Sequence, residues 1–215
     1  NNSILTLQSD LVVQQNLVAE WIVRTINWDF SNADLRYADL SSADLIHADL
    51  RYADLSGANL TGANLFDANL EGANLTGADL TGTDLSNTNL YYVHATYLQE
   101  CPAVLPTNWQ CVQNNLVGPY ANLRDADLTG TNLTDADLTG ADLSGADLYS
   151  AELTNADLTG ADLYYADLRD ATLSYADLYG ALLTGADLTG VDWHSTTCPD
   201  GTNSDDNGNT CENNL

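Results

Sequence analysis

The sequence contains no methionine, only 2 phenylalanines and only 4 cysteines, and its 5 basic residues are all arginine. Against them stand 31 acidic residues, for a formal net charge of −26. So few cations exclude a direct grip on nucleic-acid phosphates, which takes Lys and Arg in numbers. No apolar run approaches the roughly 18 residues of a spanning helix, so the chain does not insert into a membrane. The three histidines, His47, His94 and His194, lie far apart, and no glycine-rich phosphate loop or metal-ligand helix accompanies them. That excludes the usual catalytic constellations, and we expect neither an enzyme nor a bound cofactor. A methionine-free chain beginning Asn1-Asn2-Ser3 predicts a removed signal peptide and a secreted or periplasmic location. The cysteines fall into local pairs, Cys101/Cys111 and Cys198/Cys211, with Pro after the first of each. Neither pair has CxxC spacing, so two loop-closing disulfides in an oxidising compartment are expected.

What the sequence has in abundance is a five-residue period. "DADLTGADLSGADL", residues 135–148, is typical: a small residue, Asp or Asn, a large apolar centre, then two variable residues. Centres recur every five residues from Phe30 to Leu90 and from Leu123 to Leu188, with Trp193 in the next place. Ala precedes nearly every centre by two positions; Thr83, Thr88, Thr131 and Val191 are exceptions. A step of five scatters residues around an α-helix and alternates them across a strand. Small and large apolar residues two apart share a face only on locally extended backbone. The other two residues must therefore turn the chain, which suits Gly at Gly57, Gly62 or Gly130. A right-angle turn per repeat closes a coil of 20 residues, and coils stack at the strand spacing of about 4.8 Å.

The A-(D/N)-L-x-x repeat, held over most of the chain, resembles the pentapeptide-repeat family. The resemblance implies an all-β, right-handed, four-sided β-helix, and at four repeats per coil the centres make about seven coils. It carries little about activity, since such proteins differ in what they do.

Five segments follow from the pattern. Residues 28–95 and 116–193 are repeat blocks, separated by a disulfide-stapled insertion at 96–115 across which the repeat frame slips. Residues 1–27 form a cap: a helix beginning at Ser9 with Leu11, Val18 and Ile22 on one face, or strands, with Trp21 and Trp28 over the end of the Leu stack. Within the cap, "SILTLQ" is β-prone and could pair with an exposed coil edge of another chain. Residues 194–215 form a disulfide-closed tail behind Trp193. There Asn203, Asp205, Asn207 and Gly208 approach the start of a calcium loop, with Asn in place of the first Asp. Trp109, Trp21, Trp28 and Trp193 are the candidate interaction residues.

The expected function is that of a non-enzymatic secreted scaffold associating with itself through the solenoid ends, by filament growth if the caps permit it. One alternative comes from the resemblance: some family members imitate DNA and bind type II topoisomerases. Another is a calcium- or surface-binding module using hydroxyl columns such as Thr134/Thr154/Ser174. Residues 20 apart should stack, so Asp127, Asp147, Asp167 and Asp187 form one carboxylate column, and Asp137, Asp157 and Asp177 another. Like charges about 5 Å apart repel, so acid or divalent cations are expected to stabilise the rod.

Overall fold

The computed structural model describes residues 28–212. The expected N-terminal cap, with Trp21, lies outside the described residues. Within them the backbone advances in repeats of two turn residues and three extended ones, and extended segments 20 residues apart pair in parallel. Four repeats close each circuit, giving four sides. Side A carries Asp34, Asp54, Asn74 and His94, then Asn122, Asp142, Asp162 and Leu182. Side B begins at Asp39, side C at Asp44 and side D at Asp29. Asp127–Asp147–Asp167–Asp187 and Asp137–Asp157–Asp177 are indeed columns, on sides B and D.

One repeat explains the consensus. In Ala48-Asp49-Leu50-Arg51-Tyr52 the Ala48 N–H donates to Leu45 O across the preceding turn, at 3.0 Å. Asp49 N–H donates to Trp28 O in one neighbouring coil, while Leu50 and Tyr52 N–H donate to Asn69 O and Glu71 O in the other. The Arg51 N–H points at neither coil, and Asp49 Oδ1 accepts it at 3.2 Å. All five donors are thus satisfied, as a buried ladder requires. The last of them needs Asp or Asn at that position.

Ala and Leu fill the interior without a channel: Ala48, Leu50, Ala58 and Leu60 have no exposed surface. Where Thr replaces the small residue, its hydroxyl finds a carbonyl; Thr83 Oγ1 donates to Leu60 O and Thr196 Oγ1 to Leu173 O, both at 2.8 Å. Each Leu so buried contributes on the order of 1.5–3 kcal/mol, against the entropy of ordering its segment.

The buried core forms two clusters, ending at Leu116 in the first and beginning at Val117 in the second. They meet at a hairpin of β1 (Gln110–Val112) and β2 (Asn115–Val117), whose register pairs Cys111 with Leu116. The ladder continues into the stretch read as insertion, since Glu100 and Val104 still pair with Asp79 and Asp84. Beyond them, among the described residues, only side A is unbroken, through His94 to Asn122. Coil pairing likewise extends past Trp193 to Thr197, which sits on Asp177.

Candidate functional site

Three places carry the residues singled out from sequence: the outward carboxylates, the insertion and the tail.

The carboxylates are engaged in the turns. Asp39, Asp79 and Asp84 each accept the N–H two residues on, at 3.1, 3.0 and 2.8 Å. Between coils, Asn59 Nδ2 donates to Asp39 Oδ1 and Asn74 Nδ2 to Asp54 Oδ1, so the amides interrupt charge repulsion. Arginines do the same: Arg36 spans Asp34 and Asp54, and Arg169 spans Asp167 and Asp187. Hydrogen bonds from Arg36 lower the Asp34 pKa to about 2. Hydrogen bonds from Ser41, Arg51, Thr81, Ser86 and Arg169 hold Asp39, Asp49, Asp79, Asp84 and Asp167 below the usual carboxylate value. At these carboxylates, Asp167 of the side B column among them, the shifts run opposite to the expectation that acid stabilises the rod. The donors outweigh the neighbouring charges because they are in direct contact, while the charges are screened by water. On side A burial lowers the pKa of His94, whose Nε2 lies 3.2 Å from Thr96 Oγ1.

Both disulfides are formed, Cys101–Cys111 and Cys198–Cys211. Trp109 is half-buried and packs against both core clusters, with its indole face on Gly118. A Cβ on Gly118 would stand 2.4 Å from the ring, so only glycine admits this placement. Asn115, buried in the hairpin, donates through Nδ2 to Gln113 O at 3.0 Å and Asp127 O at 3.1 Å, tying insertion to second block. Trp28 stacks on Phe30 with centroids 5.9 Å apart, and Trp193 is buried.

In the tail Asn203 caps a short helix, Ser204–Asn207, by accepting the Asp205 N–H. Asp205 accepts both the N–H and the hydroxyl of Ser195, and Asn207 donates to Thr202 Oγ1. The three calcium candidates are thus close in the fold, with the oxygens of Asn203 and Asp205 turned to protein donors and Asn207 acting as a donor itself. Among the described residues no group of three or more His, Cys, Asp or Glu is placed to hold a metal ion.

Two features escaped the sequence reading. The second turn residue has positive φ throughout, and tyrosine occupies it at Tyr37, Tyr52, Tyr120 and Tyr165. One coil on, each ring covers a glycine: Gly57, Gly72, Gly140 and Gly185. At Gly57 a Cβ would lie 2.6 Å from the Tyr37 ring. A Tyr followed by Gly 20 residues later was the available signal. The second feature is an open cleft of about 610 Å³ beside the insertion, lined by residues of both blocks.

The family described as Pentapeptide repeats matches in 8 copies, over residues 29–67, 63–95, 120–152 and 151–190. The chain belongs to the pentapeptide-repeat family. Its fold is accordingly the right-handed, quadrilateral β-helix. Among solved pentapeptide-repeat structures, it is similar to HetL of the cyanobacterium Nostoc sp. strain PCC 7120, involved in heterocyst differentiation regulation. The identity is 36%, covering 81% of this chain and 74% of that one, with a TM-score of 0.36. QnrB1, a plasmid-mediated fluoroquinolone resistance protein, is 23% identical over 77% of each chain, with a TM-score of 0.33. A pentapeptide-repeat protein of the Arabidopsis thaliana thylakoid lumen is 22% identical over 78% of this chain and 69% of that one, TM-score 0.21. No curated protein matches the chain.

Proposed function

We propose that this pentapeptide-repeat protein is a non-enzymatic, secreted scaffold of about seven coils that associates with copies of itself end to end. The observation that carries the reading is the last coil. On side D it is closed: Thr197 pairs with Asn203, Cys198 N–H donates to Thr202 O, and Ser204 N–H to Thr196 O, while at the end of side C the Ser204 hydroxyl donates to Trp193 O. On sides A and B no further described residue pairs with it. Leu163 and Leu168 N–H donate to Leu182 O and Asp187 O. Their successors Leu183 and Leu188 find no backbone acceptor among the described residues. Beside this edge Leu182 stands 57% exposed where most other repeats carry Asp or Asn. An unpaired strand edge flanked by an apolar side chain is a template for another chain.

The complementary groups lie at the other end of the solenoid, where Asp34 and Asp39 N–H have no partner among the described residues. Docking the first coil of one copy on the last coil of another repeats the pairing within the chain, such as Leu182 N–H to Ala161 O at 2.9 Å. Such a contact is heterologous and does not close, so it builds filaments. The filled interior supports a scaffold over an enzyme, and the two disulfides fit an exported protein. The deciding experiment compares untagged wild-type protein with Leu182→Asp by light scattering and electron microscopy. Wild type should give particles longer than one molecule, while the variant keeps the same melting temperature and stays monomeric. Monomeric wild type over the whole concentration range would refute the proposal.

A further inference from the structure

The cleft beside the insertion marks where side D loses its ladder: Asn89 pairs with Asn69 below, Asp137 with Asp157 above, and the two do not pair with each other. The segment Pro106–Trp109 forms one wall, and Pro119 and Tyr120 part of another. Tyr91, Trp109 and Tyr120 supply aromatic surface, with Tyr91 and Tyr120 rings 5.1 Å apart and tilted. Asn108 Nδ2 donates to Asp137 Oδ2 at 3.0 Å, bracing the loop against the second block.

The remaining hydrogen-bonding capacity is of both kinds. Among the described residues, Trp109 Nε1–H and the hydroxyls of Tyr91 and Thr139 have no protein partner, so the lining residues hold free donors. Asn108 Oδ1 is likewise without a protein donor, and each Asp137 oxygen, holding one donor, has a further lone pair. Among the described residues no cation lines the cleft, and the chain's net charge of −26 opposes anions. An anion would use only the donors, and a cation only the acceptors. A polyhydroxylated ligand uses both, since each hydroxyl donates and accepts, while its C–H faces pack on aromatic rings. The volume is within the range of small-ligand sites.

We propose that this cleft binds a neutral oligosaccharide, with Trp109 and Tyr91 as stacking surfaces and Asn108 and Asp137 as hydroxyl partners. The site is complete in one molecule and does not depend on self-association. The test titrates the full chain with cello-, malto-, manno- and N-acetylchito-oligosaccharides to about 10 mM, read by calorimetry and tryptophan fluorescence. At least one series should bind saturably, with affinity insensitive to sodium chloride. Because Trp109 also packs on the core, the informative variants are Tyr91→Ala and Asp137→Ala. Each should weaken binding about tenfold or more, with the melting temperature of Tyr91→Ala unchanged. No binding in any series, or binding that both variants leave intact, overturns the proposal. So does salt-sensitive binding of a quaternary ammonium or basic peptide in the cleft without saccharide binding, which would make the ligand a cation.

Discussion

At the middle position of the repeat, Asp and Asn are interchangeable for folding because both present an Oδ1 to the N–H two residues later. Asn64 does this for Phe66 at 3.0 Å. Replacing Asn64 with Ala should cost about 0.5–1.5 kcal/mol in urea melts, while Asn64→Asp should stay near wild type. The same bonds set the pH response. Asp34, Asp39, Asp49, Asp79, Asp84 and Asp167 all have folded pKa values below the ordinary carboxylate value. A lowered folded pKa means that the unfolded chain takes up protons first, so the stability from these groups is fully present above the unfolded value of about 3.9. It is lost as pH falls toward the folded values, down to about 2 for Asp34. Thermal melts should therefore be level above about pH 5 for these groups and fall below about pH 4. A melting temperature that rises on acidification would show that column repulsion dominates instead.

Each element of the rod is held chiefly by its neighbours, so local damage should stay local. The Cys198–Cys211 bond lies in the core, with both cysteines fully buried, and closes a 13-residue separation. Replacing both by Ser should remove about 3 kcal/mol from the final coil in the chain-entropy model. Hydrogen exchange should then speed up at Trp193–Cys198 and leave Leu50–Leu70 unchanged. The coils themselves were legible in sequence, because one Leu and one Ala every five residues admit a single solution and every side repeats it. Leu116 shows where that reasoning stops. Five residues before Ala121, it stands by spacing in the small-residue place of the second block, yet it lies in β2, donates its N–H to Ala95 O and belongs to the first core cluster. Nothing in the period marks a hairpin, and its position is set by Asn115, Gln113 and Trp109 contacting residues distant in sequence. The cleft was illegible for the same reason: Asn108 and Asp137 meet across 29 residues. The expected disulfides were legible because each pair is local.

For the whole molecule, charge and assembly are linked. The proposed end-to-end docking would set side B of one copy, ending at Asp187, against Asp39 of the next, and both molecules carry −26. Association should therefore strengthen with ionic strength, as screening shortens the reach of repulsion to about 8 Å near physiological salt. Sedimentation at low and high sodium chloride would measure this, and assembly that weakens with salt would contradict it. The ladder on side A, unbroken through His94 and Asn122, has a different consequence. It keeps the two blocks in angular register despite a 28-residue gap where 20 is the rule. Height and bearing on this molecule are therefore separately adjustable, as on a threaded bolt. Deleting 20 residues from the second block would lower the tail by one storey and leave it facing the same way. Deleting five would swing the tail by a quarter-turn around the axis. A gene that grows or shrinks by repeat units can in this way re-aim one surface feature against another without altering either.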